Sequence, residues 1–306
     1  MPEDDDLPDI PLKAVGSYAK FSDAQERGLV AAALDRVYCV RREGREFVLY
    51  VDAKAREEIA RELAIFETER LERADDLARA ARPLPKIETL SLFVAAWAMS
   101  MFWVAQNYAP RALIERGEAD SARICFQGEW WRTATALTLH GDVSHLAANL
   151  VTGLLFAAFV LPQLGTGLTW LGIVLTGVLG NLVNAWFYRN EAHFSIGAST
   201  AVFGALGLLV AGEFMERSRH AATRSWWHLV LPLGAGLALL AYLGVGEEHE
   251  KRTDYMAHLF GFSAGLAMGL LAAWARLREH TPRWLQHFAG GLALAALVGA
   301  WCRAAQ

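Results

Sequence analysis

The stretch "SIGASTAVFGALGLLVAG", residues 195–212, decides how this chain folds. It carries no charge and passes from a polar segment into an apolar one, as a helix that enters a membrane does. Ser199 stands at the junction, between Gly197 and a run of small residues. The sequence thus places an alcohol, rather than another leucine, at the mouth of an apolar helix.

The charged residues are unevenly distributed along the chain. Its 306 residues have a net charge of −4 and are 54% hydrophobic, but residues 1–88 hold 20 of the 33 acids and 15 of the 29 Lys and Arg. This asymmetry predicts a soluble segment joined to a membrane domain. The chain has no dense Lys/Arg stripe, which argues against a nucleic-acid partner. The first nine residues, "MPEDDDLPD", are acidic with no apolar run behind them, so no signal peptide is expected.

The soluble segment, residues 1–88, reads as a small cytosolic α+β module. A helix is predicted over 22–36 with Ser22 as its N-cap, followed by two short strands over 37–52 around a Glu43-Gly44 turn. A long charged helix over 53–82 then ends at Pro83 and Pro85. The simplest interpretation of the module's charges is that they form a solvent-exposed face rather than a specific recognition surface.

From Leu90 onward, apolar stretches recur at lengths close to the ~20 residues that a helix needs to cross a hydrocarbon core. No alternation of period two is present, so we predict an all-α helix bundle rather than a barrel. Seven spans are expected, at 90–108, 144–162, 168–188, 198–214, 226–244, 256–275 and 284–302. Three cysteines, Cys39, Cys125 and Cys302, form no CxxC pair and are expected to be unpaired.

Positive residues near the span ends predict the orientation, because Lys and Arg favour cytoplasmic loops. They cluster before the first span, between the fourth and fifth, and between the sixth and seventh: Arg79, Arg82, Lys86; Arg217, Arg219, Arg224; Arg276, Arg278, Arg283. The N-terminus is therefore expected inside and the C-terminus outside. The second, fourth and sixth spans then all begin on the outer side.

Polar residues lie near the starts of these same three spans. They are His140, His145 and Asn149 at the second, Ser199 at the fourth and His258 at the sixth. Polar side chains inside a membrane are costly and point to function, and these can converge at one depth.

Ser199 alone is more often a helix cap than a nucleophile, but His258 offers it a general base. Gly261, with Gly265 and Gly269, forms a small-residue face through which two helices can approach closely. His145 and Asn149, four residues apart on one helix face, are favoured as oxyanion donors.

Two alternatives concern the neighbours of these residues. His140 and His145 could ligate zinc, but a spacing of five puts them on different helix faces and no third ligand is evident. Asp254 lies four residues before His258, so a triad is conceivable. A solvated loop acid is favoured, because the same loop carries Glu247, Glu248 and Glu250.

Together these motifs resemble the rhomboid family of intramembrane serine proteases, bacterial type. The resemblance covers about 130–275 and is carried, in the family's order, by "WWR" (130–132), "HGDVSHLAAN" (140–149), "GAST" (197–200) and "AHLFGFSAG" (257–265). It implies a six-span core over 89–280 and an additional C-terminal span over 281–306.

The resemblance also implies the chemistry. Ser199 would be the nucleophile and His258 the general base and acid, without a cofactor or a metal. His145, Asn149 and the Ser199 N–H would bind the oxyanion, and Gly197, Gly261 and His140 would support the site. Trp131 and Arg132 match a folding and lipid-contact element of the family. Substrates would be membrane proteins, often single-span, in a bacterial inner membrane.

Two residues depart from the family pattern. Thr200 replaces the second glycine of GxSG, which could reshape the oxyanion pocket, and Phe203 stands where many members have a tyrosine that stacks on the catalytic histidine. The alternative from another class is a non-catalytic relative that binds or escorts membrane clients. Such relatives typically lack the Ser or the His, and this chain has both.

Overall fold

The computed structural model describes residues 11–80, 88–218, 227–244 and 254–306. The chain divides into two compact units, Met1–Leu84 and Pro85–Gln306. Some charges that predict the orientation lie outside the described residues, namely Arg82, Lys86, Arg219 and Arg224, and so do the loop acids Glu247, Glu248 and Glu250.

The first unit is a small α+β module with a three-stranded antiparallel sheet in the order β1-β3-β2. Its strands are β1 (Leu12–Tyr18), β2 (Tyr38–Glu43) and β3 (Glu46–Asp52), and its helices are α1 (Phe21–Ala33) and α2 (Arg56–Ala80). Leu49 and Val51 of β3 pack with Ala31 of α1 and Ile59 of α2 in a core from which solvent is excluded. The predicted hairpin is present, and Gly44 in its turn has a φ of +62°.

Sequence reasoning missed β1 and placed the cap of α1 wrongly. The register of β1 against β3 shifts between Ala14 and Gly16. Such a bulge interrupts the period-two pattern by which a strand is recognised. The α1 helix begins at Phe21 with Lys20 at its N-cap, so Ser22 lies inside the first turn.

In the described part of the second unit, six helices are long and apolar enough to cross a membrane. They are α3 (Thr89–Tyr108), α7 (Val143–Leu164), α8 (Thr166–Phe187), α9 (Ser199–Ser218), α11 (Tyr255–Trp274) and α13 (Arg283–Ala304), and a further apolar helix, α10 (Trp227–Gly244), occupies the predicted fifth span. Large apolar side chains such as Leu90, Phe93 and Trp97 of α3 are more than half exposed. Such an outer surface suits hydrocarbon rather than water.

The buried helix at the centre of this bundle is α9, which packs against α7, α8, α10 and α11. Its closest neighbour is α11, because glycines face each other across the contact. A Cβ on Gly265 would collide with the carbonyl of Gly204, and one on Gly207 with the carbonyl of Phe262. Small residues at a helix contact let backbones approach to this extent, as the sequence predicts for the face that begins at Gly261.

The connector between α3 and α7 is folded rather than extended. It contains α4 (Pro110–Gly117), β4 (Ala119–Asp120), α5 (Ser121–Phe126), α6 (Arg132–Thr135) and a 3-10 turn over Ala136–Thr138. The short strand β4 pairs with β5 (Phe194–Ser195), which lies just before α9. The connector and the segment before Ser199 are therefore joined by backbone hydrogen bonds.

The C-terminal helix α13 follows the short helix α12 (Leu277–His280) and packs on α8 and α6. The Gln286 side chain accepts from the Leu168 N–H at 3.0 Å and donates to the Leu164 carbonyl at 2.8 Å, bridging the turn between α7 and α8. At the other end, the Trp301 indole N–H donates to Thr138 Oγ1 at 3.0 Å. All three cysteines are free thiols.

Candidate active site

Ser199 is the first residue of α9, and the loop before it is held in an unusual backbone conformation. Gly197 has a φ of +128°, a value that L side chains rarely adopt. Its N–H donates to the Ala136 carbonyl at 2.9 Å, which ties the loop to the connector. The first N–H groups of a helix have no carbonyl partner within it, so the start of α9 offers donors beside the Ser199 hydroxyl.

His145 and Asn149 lie in the first two turns of α7 and reach the same loop. Asp142 caps this helix by accepting from the His145 N–H at 2.8 Å. A Cβ built on Gly197 would stand 2.6 Å from Cε1 and Nε2 of His145 and 3.7 Å from Nδ2 of Asn149. A side chain at Gly197 would therefore press on the His145 ring, whereas Asn149 lies at an ordinary contact distance.

The Asn149 side chain is 7% exposed, and its Nδ2 group has no hydrogen-bond partner in the described residues. A buried donor without a partner costs about 1–3 kcal/mol, which distinguishes Asn149 from the paired polar groups around it. The donor is directed at the loop beside Ser199. The donor is therefore available to a group that binds beside Ser199.

His258 lies in the first turn of α11 and is 7% exposed. Its ring packs against Phe203, one turn after Ser199, with 4.4 Å between the ring centroids and 32° between the planes. One turn further along α11, a Cβ on Gly261 would lie 3.0 Å from the carbonyl carbon of Thr200 and closer still to its oxygen. The first turns of α9 and α11 therefore face each other at very short range.

The two departures from the family pattern are accommodated differently. Phe203 lacks a hydroxyl but still packs on the His258 ring. Thr200 is fully buried, and its methyl group fills the gap between α9 and α8, where a Cβ on Gly180 would stand 2.6 Å from it. The Thr200 side chain therefore faces α8 and α11, whereas the proposed oxyanion donors His145 and Asn149 belong to α7.

His140 lies nearer to His145 than the sequence spacing suggests. The prediction that His140 and His145 lie on different helix faces was wrong, because His140 precedes the start of α7. Its ring turns back onto that of His145, with the ring centroids 5.2 Å apart. Gln106 of α3 fixes the His140 backbone, donating to its carbonyl at 2.7 Å and accepting from its N–H at 3.1 Å. Burial, helped by the neighbouring His145, lowers the pKa of His140 to about 4, so the ring is neutral near pH 7.

Among the residues that the structure describes, no three His, Cys, Asp or Glu side chains converge to hold a metal ion.

Trp131 and Arg132 organise the connector. Arg132 is 3% exposed and donates from Nη1 to the carbonyls of Glu115 and Glu118, both at 3.0 Å, at the end of α4. Its Nε pairs with Glu129. The Trp131 ring lies under the guanidinium of Arg303, 5.1 Å from its centroid. The α6 helix that begins at Arg132 leads directly to Ala136, whose carbonyl holds Gly197.

Asp254 is not the solvated loop acid that the sequence favours. Its side chain is 14% exposed, and Oδ2 accepts from His193 Nε2 at 2.7 Å and from Asn184 Nδ2 at 2.6 Å. Burial by itself would raise the pKa of Asp254, but hydrogen bonds from His193, the Ala257 N–H and Asn184 outweigh it and lower the pKa. The His258 Nδ1 atom has no partner in the described residues, so the two histidines differ in what orients them.

Sequence reasoning overlooked His193 and Asn184. Asn184 had a recognisable signal, since it is a polar residue within a predicted span and is 2% exposed. His193 had none, because its partner lies 61 residues away along the chain.

The chain is similar in sequence to a known protein family and to several named members of it. Residues 127–275 match the family model of the Rhomboid domain. The chain is 27% identical over 153 residues to the protein YdcA of Bacillus subtilis (strain 168), which covers 50% of this chain and 72% of YdcA.

Two further relatives are matched over a smaller share of their length. Rhomboid protease GluP of the same organism is 28% identical over 191 residues, 60% of this chain and 35% of GluP. RHOMBOID-like protein 4 of Arabidopsis thaliana is 30% identical over 158 residues, 51% of this chain and 37% of that protein. The chain thus spans less than two thirds of either of these two.

Proposed function

The chain belongs to the rhomboid family and is an integral, multi-pass membrane protein, and on this premise we propose that it is an intramembrane serine endopeptidase. Ser199 is the nucleophile and His258 the general base and acid. One observation carries the proposal. At Gly197, the residue with a φ of +128°, a side chain would press on the His145 ring, so the loop before Ser199 and the first turn of α7 lie in close contact beside the start of α9.

The reaction proceeds in two halves. As the Ser199 hydroxyl attacks a peptide carbonyl, His258 takes its proton, and a tetrahedral oxyanion forms. His145, Asn149 and the Ser199 N–H donate hydrogen bonds to that oxyanion. Collapse expels the amine of the C-terminal fragment, which receives the proton from His258. Water then attacks the acyl-enzyme with His258 again as base, which releases the new carboxylate and restores Ser199.

The packing of the two helices supports the dyad. His258 packs against Phe203 of α9, and an imidazole held in one orientation loses little entropy when it takes up a proton. The Asn149 donor, buried and unpartnered, supports the oxyanion role. Asp254 is not assigned the role of a triad acid, because it directs its Oδ2 to His193 and Asn184 rather than to His258.

The substrates we propose are the transmembrane segments of other membrane proteins, single-span ones above all, and the surrounding lipid is the medium in which they meet the enzyme. We place the protein in a bacterial cell membrane with the N-terminus in the cytoplasm and the C-terminus outside, from the distribution of Lys and Arg in the sequence. Residues 1–88 then form a cytosolic module, 89–280 the catalytic domain and 281–306 a further span.

A rhomboid-like protein that binds or escorts membrane clients without cleaving them is the competing function. The fold alone fits both, since a fold does not determine an activity. The presence of both Ser199 and His258, with an unpartnered donor beside them, favours the enzyme.

The deciding experiment is cleavage of a single-span reporter in liposomes by the wild type, Ser199→Ala and His258→Ala. We expect cleavage by the wild type alone, and equal cleavage by all three would refute the dyad.

Asn149→Ala tests the oxyanion role and should lower kcat by about 10²- to 10³-fold. A folded Asn149→Ala variant with an unchanged kcat would leave Asn149 a packing role only.

A further inference from the structure

A polar cluster joins the segment before Ser199 to the start of the helix that carries His258. His193 lies six residues before Ser199, and Asp254 lies four residues before His258. The two side chains meet at 2.7 Å between Nε2 and Oδ2, and Asn184 of α8 donates to the same oxygen at 2.6 Å. A single carboxylate oxygen therefore collects hydrogen bonds from two other segments of the chain.

His193 is held firmly on its own side of this contact. Its carbonyl accepts from the Ser121 N–H at 3.1 Å, and the next two residues form β5, which pairs with β4 of the connector. Its ring stacks on Tyr188, with centroids 4.1 Å apart and planes inclined by 16°. The imidazole can turn little about its own axis, so its Nε2 group points at Asp254.

Asp254 is held equally firmly on the other side, because it is the N-cap of α11. Its Oδ1 accepts from the Ala257 N–H at 3.1 Å, and its carbonyl accepts from the His258 N–H at 3.2 Å. One carboxylate thus serves the helix through Oδ1 and the neighbouring segments through Oδ2. Any displacement of Asp254 is transmitted to the first turn of α11, where His258 lies.

We propose that His193 and Asp254 are positioning residues that fix the start of α11 relative to the loop before Ser199, and so set the separation of Ser199 from His258. The inference rests on the proposed dyad and adds to it a pair that touches neither the substrate nor the reacting atoms. Proteins hold reacting groups to within fractions of an ångström, and a misplacement of about 1 Å costs roughly 10²-fold in rate.

A matched pair of substitutions separates this role from general packing. The amide nitrogen of glutamine occupies nearly the place of Nε2 of histidine, whereas that of asparagine occupies the place of Nδ1. Since the contact with Asp254 uses Nε2, His193→Gln keeps the hydrogen bond and His193→Asn loses it. Both variants remove the imidazole and its stacking on Tyr188, so that loss cancels in the comparison.

We expect His193→Asn to lower kcat for the single-span reporter by about 10- to 100-fold with KM changed less than about twofold, and His193→Gln to retain most of the wild-type kcat. Asp254→Asn keeps a cap for α11 but loses the charged acceptor that His193 and Asn184 share, and should lower kcat at least as much as His193→Asn. The double variant His193→Asn/Asp254→Asn should be no worse than Asp254→Asn alone, because both substitutions remove the contact between His193 and Asp254. His287→Ala, at an exposed histidine of α13, is the control and should behave as wild type.

Equal kcat values for the Gln and Asn variants, or additive losses in the double variant, would overturn the inference while leaving the dyad intact. Ser199→Ala in the same series reports on the dyad itself, so the two failures are distinguishable. Hydrogen exchange gives a readout independent of cleavage. Amides of 194–199 and 255–258 should exchange faster in His193→Asn than in His193→Gln, and identical exchange in the two would also refute the positioning role.

Discussion

Replacing Gly197 with alanine imposes two separate penalties on the loop before Ser199. The backbone φ of +128° is one that L side chains rarely adopt, and holding a residue in such a conformation costs about 1–3 kcal/mol. The new Cβ would also stand 2.6 Å from Cε1 and Nε2 of His145. Because non-bonded carbon atoms prefer about 3.5–4.0 Å, either the loop or the imidazole must move by roughly 1 Å.

A displacement of that size falls on a proposed oxyanion donor and on the residue two positions before the nucleophile. It should lower kcat by about 10²-fold, which corresponds to about 2.7 kcal/mol of transition-state stabilisation. The free energy of unfolding should fall by about 1–3 kcal/mol from the backbone strain. Cleavage of the reporter in liposomes measures the first quantity, and unfolding in detergent measures the second.

Gly128→Ala is the control for backbone strain alone. Gly128 has a φ of +71°, but a Cβ there would meet nothing within 4 Å. It should lose a comparable stability, about 1–2 kcal/mol, and keep the wild-type kcat. The reasoning fails if Gly197→Ala cleaves at the wild-type rate, or if Gly128→Ala loses as much activity as Gly197→Ala.

Three further substitutions test the packing and the electrostatics. Gly261→Ala should destabilise the bundle by about 1–3 kcal/mol, because its new Cβ would collide with α9. Gly291→Ala, in open space on α13, should not; equal unfolding temperatures for the two variants would contradict the close approach of α11 to α9. His140 has its pKa lowered to about 4, so between about pH 6.5 and 4 the unfolded chain binds a proton that the folded one refuses. Stability should therefore fall on acidification through that window, and His140→Gln should flatten the unfolding profile; an unchanged profile would refute the buried neutral imidazole. Gln286→Leu strands two backbone groups in the turn between α7 and α8 and should cost about 1–3 kcal/mol for each, seen in unfolding but not in kcat; undiminished stability would show that the bridge contributes nothing.

The membrane-spanning helices were predictable because their signal is local. A run of about 20 apolar residues is a property of neighbouring positions, and α3, α7, α8, α9, α11 and α13 begin and end close to the predicted bounds. The β1 strand was not predictable in this way, since a bulge at Ala14 and Gly16 removes its alternation. Ser22 failed as a cap because sequence signals locate a helix start only to within one or two residues, and α1 begins at Phe21.

The candidate site was only partly accessible from sequence. Ser199, His145, Asn149 and His258 each sit at a helix start, where a polar residue in an apolar context is visible. The ring contact of His140 with His145 was not, because the relevant geometry belongs to the turn before α7. The pairing of Asp254 with His193 was hidden for a similar reason. An acid near a histidine suggests a triad, and only the folded chain shows which histidine it meets.

The two ends of α13 have a consequence for the order in which this protein matures. Gln286 bridges the turn between α7 and α8, and Trp301 donates to Thr138 of the connector. Both belong to the segment that the ribosome makes after every other helix described. The α7–α8 turn and the connector are therefore synthesised before these partners exist. Synthesis must proceed past Trp301 before the connector that holds the loop at Ser199 is complete, so a nascent chain arrested earlier lacks the finished support.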